Sequence, residues 1–315
     1  MTGLKFSPDS LPNLSGRVFL VTGGNAGIGM ATVAGLASKG AKVYIGARNP
    51  DKARKAIDDI KQSLAKPEAE ILPLLLDLQD FASVVNAANL LKSKETALHG
   101  LVNNAGIMGV PFALTKNGYE AQFQTNYLSH WLLTYHLLPL LVATAPCAGL
   151  GEVRIVNVTS DGHERFAPTA GICFSDPSLE AESSMTRYGH SKLANILHIA
   201  QLHALHGREN PCLVVAAVHP GHIDTNLNKQ ATAMAPSAFL RAMVPLMKCA
   251  GILDNQAKGA LSSLYAIASP EFTESGAYVV PYAKIGTPSK AASDGELAGK
   301  LWDWTLRELQ DWIAM

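Results

Sequence analysis

Tyr188 and Lys192 stand four residues apart in Tyr188-Gly-His-Ser-Lys192. On a helix that spacing puts both side chains on one face. A phenol ionises near pH 10, too high for proton exchange at neutral pH. A neighbouring ammonium stabilises the phenolate and brings the phenol into use as an acid and a base. Alone, the pair is a weak signal, because a solvated helix face explains most Tyr-x-x-x-Lys spacings. It gains meaning if the chain also supplies a hydride carrier and a group to hold a carbonyl oxygen.

The carrier is signalled near the N-terminus. The apolar run Arg17-Val-Phe-Leu-Val21 leads straight into Thr22-Gly-Gly-Asn-Ala-Gly-Ile-Gly29. Gly23, Gly27 and Gly29 permit a tight turn, close approach of backbone to a pyrophosphate, and close helix packing. The helix that follows aims its N-terminal amides and dipole at the phosphates. Strand, glycines and helix in that order are the context that distinguishes a dinucleotide site from a chance glycine cluster. An NAD enzyme places an acid about 20 residues further on, to hold the ribose 2′-hydroxyl. Here Ala47, Arg48 and Asn49 occupy that place. An arginine suits a 2′-phosphate, so NADP is expected as cofactor and NAD is the less favoured alternative. Asp77 and Leu78, after the third strand, are candidates for the adenine amine, or Asp77 is an ordinary strand-end or helix-cap acid.

The elements around these residues follow from pattern. Short β-branched runs alternate with helical periodicity, which argues for a parallel sheet covered on both faces. Strands are expected at 17–21, 42–46, 71–76, 99–102, 153–158, 213–218 and 277–280, and helices at 28–38, 51–64, 81–95, 119–142, 188–206 and 256–268. The fold class is therefore α/β: a single doubly wound Rossmann domain over 1–315, with a seven-stranded parallel sheet and helices on both faces. Insertions at 161–187 and 226–255 fall after strands, on the side where open α/β sheets bind ligands. Trp302, Leu306, Leu309 and Ile313 recur at helical spacing, so 294–313 reads as a C-terminal helix packed on the body.

Bulk properties narrow the function. Lys+Arg and Asp+Glu each total 26, so formal net charge is zero and no nucleic-acid partner is expected. Cys147, Cys173, Cys212 and Cys249 form no Cys-x-x-Cys pair, which points to free thiols in a reducing, cytoplasmic setting. No His, Cys and carboxylate grouping has metal-ligand spacing, so no metal is expected. A Gly-x-Ser-x-Gly elbow is absent, which disfavours a hydrolase. The N-terminal 16 residues read as neither a signal peptide nor an arginine-rich transit sequence. No membrane span is expected; the nearest candidate, 231–251, carries Arg241 and Lys248. Its simplest reading is a lid or surface helix, and membrane-surface association is the weaker expectation. His190, His198, His203 and His206 follow Tyr188 and are expected against solvent or a neighbouring helix. His163 and His222 flank the site loops and are secondary candidates for substrate contact.

With these residues assembled, the chain resembles the short-chain dehydrogenase/reductase family from about residue 14 to 280. Thr22, Gly23, Asn25, Gly27, Ile28 and Gly29 match its cofactor turn. Asn103-Asn-Ala-Gly106 resembles its fourth-strand motif, which steadies the sheet and lines the adenosine ribose through Asn103, Ala105 and Gly106. Asn126, Ser160, Tyr188 and Lys192 match its catalytic tetrad. His219-Pro-Gly221, Ile223 and Thr225 resemble the segment that embraces the nicotinamide, with Pro220 and Gly221 at the turn. Gly46-Ala-Arg48-Asn49, Ser191-Lys-Leu-Ala-Asn195 and Leu301-Trp-Asp-Trp304 are similar to the retinol-dehydrogenase and WW-domain-oxidoreductase branch.

The resemblance implies a division of labour. Tyr188 exchanges the proton, Lys192 lowers the Tyr188 pKa and holds the nicotinamide ribose, and Ser160 stabilises the substrate oxygen. Asn126 holds a water that connects Lys192 to solvent. Thr159 precedes Ser160 and is a rival hydroxyl, although the second position is the family's. The gap from Ser160 to Tyr188 is 28 residues, about twice the compact family pattern, which makes 161–187 a substrate-side loop. Met234, Phe239, Leu240, Met243, Val244, Leu246 and Met247 make the second insertion apolar, as a lipophilic small-molecule substrate requires. The expected function is an NADP-dependent ketoreductase or alcohol dehydrogenase acting on a specialised metabolite, steroid or retinoid. Alternatives are an epimerase, dehydratase or C=C reductase on the same scaffold, or a non-catalytic NADP-binding regulator. The family commonly pairs helices 119–142 and 188–206 across a two-fold axis, while relatives in this branch include monomers, so homodimer and monomer both stand.

Overall fold

A computed structural model of the chain describes residues 6–207, 210, 212–224 and 254–315. The apolar runs form β1 (Val18–Thr22), β2 (Lys42–Ala47), β3 (Ile71–Leu75), β4 (Gly100–Asn103), β5 (Val153–Val158), β6 (Leu213–Val218), β7 (Ala277–Val280) and β8 (Lys284–Gly286). They make one sheet in the order β3-β2-β1-β4-β5-β6-β7-β8. The first seven are parallel. β8 returns antiparallel to β7, with Ile285 opposite Val279. The expected seven-stranded sheet therefore has an eighth, short edge strand.

Period-two alternation sorts each central strand between two cores. Leu213, Val215 and Ala217 of β6 face one core, and Val214, Ala216 and Val218 face the other. Because both faces are buried, a one-residue slip would exchange the two sets, which pins the register. The helices are α1 (Gly27–Ser38), α2 (Pro50–Leu64), α3 (Phe81–Lys94), α4 (Ala121–Phe123), α5 (Ser129–Ala148), α6 (Gly162–Arg165), α7 (Ser184–His206), α8 (Gln256–Ala268), α9 (Gly295–Glu308) and α10 (Gln310–Ile313). Residues of α3, α5, α7 and α9 build the first core; residues of α1, α2 and α8 build the second.

The strand order reverses between β1 and β4, whose pairing runs from Phe19–Gly100 to Val21–Val102. Connections leave in opposite directions there and open a crevice at the carboxyl ends. Thr22 and Asn103 end those two strands.

Ala121–Ala148 is one continuous helix, long and apolar enough to cross a membrane by composition, with 56% of its most apolar window buried inside the protein. It is the helix expected at 119–142, extended at its C-terminal end past Pro146 to Ala148, and here it packs the core. The second insertion lies almost wholly outside the described residues, as do its methionines and the 231–251 segment.

The tail forms two helices rather than one, α9 and α10, parted at Leu309. Trp302 meets Trp131 edge-on at 5.1 Å between centroids, and Trp304 meets Phe123 at 6.1 Å. Tyr127 Oη and Thr305 Oγ1 share a buried hydrogen bond of 2.7 Å. The C-terminus thus covers α5 and α7, the helices that carry the site.

Candidate active site

The glycine turn is built by backbone that only glycine tolerates. Gly23 and Gly27 have φ of +65° and +57°, in the left-handed region that disfavours side chains. At Gly29 a β-carbon would stand 2.5 Å from the Gly23 carbonyl oxygen and 2.5 Å from Asn104 Nδ2. α1 starts here, and its cap residue Ala26 supplies no side-chain acceptor. The first-turn amides are thereby left for an external anion. Arg48 is exposed at the end of β2. The turn and the arginine fit a dinucleotide carrying a 2′-phosphate.

Several sequence-assigned cofactor residues prove to support this cradle from behind. The Thr22 hydroxyl accepts from the amides of Asn104 at 2.9 Å and Ala105 at 3.0 Å. It also meets His130 Nε2 at 2.8 Å. The Asn103 side chain turns into the core, donating to Thr134 at 2.9 Å and Asn157 at 2.8 Å. Leu78 is buried, and its carbonyl accepts from Ser129 at 2.6 Å. Asn49 uses its side chain to cap α2, accepting from Lys52 N–H at 2.9 Å. Asp77 accepts from Gln79 N–H at 3.0 Å. Any ligand contact by Thr22, Leu78 or Asn103 is therefore left to backbone, because their side chains are committed within the protein. Asn104, which sequence reasoning passed over within its own motif, donates to the Thr22 carbonyl at 2.8 Å and braces the turn.

Asn126, Ser160, Tyr188 and Lys192 converge at the carboxyl ends of β4 and β5. Lys192 Nζ donates to the Val158 carbonyl at 2.9 Å. A β-carbon on Gly106 would stand 3.2 Å from Asn126 Oδ1 and 3.6 Å from Lys192 Nζ, so this glycine lets three elements meet. A β-carbon on Gly162 would stand 3.0 Å from Tyr188 Cε1 and 3.4 Å from Ser160 Oγ. Thr159 is buried and donates to the Lys192 carbonyl at 2.8 Å. That leaves Ser160 as the hydroxyl beside Tyr188. α7 begins at Ser184, four residues before Tyr188, because Ser183 caps it by accepting from Thr186 N–H at 3.0 Å.

Asn126 lies in a π-helical turn, Gln124–Leu128, between α4 and α5. Such turns insert an extra residue and redirect a carbonyl. The Asn126 carbonyl meets His130 Nδ1 at 3.0 Å. Its amide is bound at both ends, accepting from Ile107 N–H at 2.9 Å and donating to Ser191 at 2.9 Å. A buried pair, Glu120 and Arg187 at 3.5 Å, ties the start of this helix to the start of α7.

The electrostatics differ from expectation at one point. The pKa of Tyr188 is raised, not lowered. Burial pushes its phenol up to about 12, a hydrogen bond with Ser160 works the other way, and the Asp161 charge adds to the rise. Burial also pulls Lys192 down to about 8. The ammonium faces the Val158 carbonyl and lies 5.7 Å from the phenol ring centroid.

On the far side, Gly221 has a φ of +98° at the end of β6. Ile223 is buried and forms a parallel bridge with Asp254. A β-carbon on Gly259 would strike Ile223 at 2.7 Å and Ile28 at 3.0 Å, so α8 draws this loop toward the glycine turn. Thr225 lies outside the described residues. Two histidines gain roles that their chain positions did not reveal. His163 Nε2 accepts from Ser289 N–H at 3.2 Å, so Nδ1 carries the proton and donates to the Ser160 carbonyl at 2.7 Å. His222 Nε2 meets Asp161 Oδ2 at 3.1 Å. His190 and His198 are buried against neighbouring helices, His190 stacked on Phe123 at 4.7 Å.

The family model described as short chain dehydrogenase matches residues 17–171. Short-chain dehydrogenase/reductase drtF of Aspergillus calidoustus is 52% identical over 312 residues, spanning 96% of each chain. An uncharacterized oxidoreductase of Schizosaccharomyces pombe is 41% identical, over 98% of this chain and 91% of its own. A solved structure of an uncharacterized protein from Mycobacterium paratuberculosis superposes with a TM-score of 0.74 at 28% identity, covering 97% of both chains.

Proposed function

The chain belongs to the short-chain dehydrogenase/reductase family of oxidoreductases, and from that premise we propose that it is an NADP-dependent enzyme interconverting a carbonyl and an alcohol on a lipophilic small molecule. The observation that carries this reading is the meeting of Ser160, Tyr188, Lys192 and Asn126 beside the uncapped N-terminus of α1. Gly23, Gly27 and Gly29 would cradle the pyrophosphate, and Arg48 the 2′-phosphate. The nicotinamide cofactor, when bound, supplies or takes the hydride.

The protein's own residues handle the proton and the oxygen. Ser160 and Tyr188 converge on one point, where they would hold a carbonyl oxygen and share the charge that develops on it. Tyr188 gives its proton to that oxygen in reduction and takes it back in oxidation. Lys192, buried and close to the phenol, favours the phenolate once the proton has left. The lipophilic substrate is supported by Ile107, Met108 and Val110 after β4, all partly exposed, and by Phe166 at 39% exposure after α6. The same reading takes the chain to be a monomer at its α5–α7 face, because its own α9 packs there.

The test is NADPH oxidation with a panel of apolar ketones and aldehydes, with product analysis to separate carbonyl reduction from C=C reduction, dehydration or epimerisation. Tyr188→Phe should lose about 10²–10⁴ in kcat and keep its affinity for NADPH. Full turnover by that variant on a substrate of the native protein would overturn the mechanism.

A further inference from the structure

The turn after β5 carries an acid that the proposed reaction does not use. Ser160 Oγ donates to Asp161 Oδ1 at 3.1 Å and accepts from Gly162 N–H at 3.1 Å. The Tyr188 ring stands beside the same serine, since a β-carbon on Gly162 would lie 3.0 Å from Tyr188 Cε1 and 3.4 Å from Ser160 Oγ. Phenol, serine hydroxyl and carboxylate therefore stand side by side, the last two joined by a hydrogen bond. Gly162 presses this turn against the phenol ring, since any β-carbon would come within 3.0 Å of it. The other carboxylate oxygen, Oδ2, accepts from Arg165 Nε at 3.0 Å and meets His222 Nε2 at 3.1 Å. The Asp161 side chain is 23% exposed, against 61% for Arg165 and 46% for His222. Water screens the two outer groups more than it screens the carboxylate.

We propose that Asp161 is a positioning residue of the active site: its charge, set beside the Ser160 hydroxyl, favours the protonated form of Tyr188, which sets the site to give a proton to a carbonyl oxygen. This rests on the carbonyl–alcohol reading above and adds a direction to it.

The surrounding charges are few and opposed. Lys192, on the helix of Tyr188 itself, works against Asp161 by favouring the phenolate. Around the carboxylate stand His219 and His222 from the end of β6 and Arg165 from α6. Burial opposes ionisation of Asp161, but those three groups and the Ser160 bond outweigh it and hold the carboxyl below its usual range. Tyr278 of β7 also faces Asp161 and Glu164, and burial and both acids push its phenol up. His163 lies edge-on to Tyr278 at 5.5 Å between centroids. Asp161 is thus an anion at neutral pH, set beside the proton donor at the Ser160 turn. Reduction starts from phenol and is favoured by that anion. Oxidation starts from phenolate and is moved to higher pH.

The test reads the phenol itself. Phenolate absorbance is followed from pH 7 to 11 in the full chain, with Tyr188→Phe in the same background subtracted. Asp161→Asn and Asp161→Ser should bring the Tyr188 signal in at lower pH by about one pH unit. Asp161→Glu should keep the wild-type onset, and melting temperatures identify any variant that has lost its fold. An unchanged or higher onset in both neutral variants overturns the proposal, as does a glutamate variant that shifts as far as asparagine. On an alcohol that the wild type oxidises, the lower edge of the pH–rate profile should move down with the phenolate onset. A wild-type chain inert toward every ketone, aldehyde and alcohol defeats the functional reading alone, because the phenolate titration still decides the role of Asp161.

Discussion

On the proposed reading, Arg48 carries the choice of cofactor. Its side chain is exposed at the end of β2, and among the described residues it pairs with no carboxylate. Nothing among the described residues competes for it, so a phosphate meeting it gains a charge-assisted hydrogen bond worth about 1.5–3 kcal/mol. Arg48→Ala should therefore weaken NADPH roughly tenfold to a hundredfold and leave NADH within about twofold, as read by fluorescence titration of each. Equal losses for both would remove the 2′-phosphate argument. The place of Arg48 at the end of β2 was legible in the chain because its distance from the glycine turn is set by one β-α-β unit. The second-rank hydroxyls and amides were not. Thr159 and Ser160 have adjacent positions and the same chemistry; the family's position favours Ser160, and the physical reason, the commitment of Thr159 to the Lys192 carbonyl, is seen only in the fold. Asn103 and Asn104 invert in the same way: the first turns into the core and the second braces the glycine turn. On a strand, neighbouring residues face opposite ways, and a motif does not say which way is in.

At the scale of elements, the site depends on how β1 is joined to the loop after β4. Thr22 Oγ1 accepts two loop amides and meets His130, whose other ring nitrogen meets the Asn126 carbonyl. One hydroxyl and one imidazole thereby connect the glycine turn to the π-helical turn that carries Asn126. Thr22→Val keeps the shape and removes the acceptor; the Asn104 amide keeps the Val102 carbonyl, and the Ala105 amide is left without its partner. Each buried amide left unpaired costs about 1–3 kcal/mol. A drop in melting temperature with weakened NADPH binding is expected, and a variant that matches wild type in both would show that the strut is idle. This link was not legible, because it joins residues more than eighty positions apart. The strands were, since each central one is an apolar run with both faces buried. β8 was not legible in the sequence because it is three residues long, mostly exposed and just past Pro281. α7 was expected to start at Tyr188 and starts at Ser184, because Ser183-Ser-Met-Thr186 has capping chemistry but little apolar periodicity to announce it. The π turn has no sequence period of its own, so a helix was expected there and its local geometry was not.

Taken as a whole, the molecule encloses an unusual number of neutral imidazoles. Burial is the leading cause that pulls His130, His190 and His219 down to about 4 and His198 to about 3. In the unfolded chain each would return to near 6.5. Between about pH 6.5 and 4 the unfolded chain therefore binds protons that the folded one refuses, and stability falls as pH falls. Each histidine contributes about 1.4 kcal/mol per pH unit in that window, so the four together approach about 5 kcal/mol per unit. That is large against a total stability of roughly 5–15 kcal/mol. Asp161, held below its usual range, acts in the same direction, whereas Glu120, raised chiefly by burial, acts against it. His130 and His198 sit on α5 and α7, and His198 lies 5.9 Å from Trp302 of α9 between ring centroids. Protonating them would loosen the tail and the site together. Urea unfolding at pH 7.5, 6.5 and 5.5 should show a steep loss of stability below pH 6.5, with phenylalanine at position 198 flattening it by about one proton's worth. A curve that stays level to pH 5.5 would mean that these imidazoles find water or room to charge within the fold. A steep one would confine the working enzyme to neutral or alkaline surroundings, by the same burial that assembles its active site.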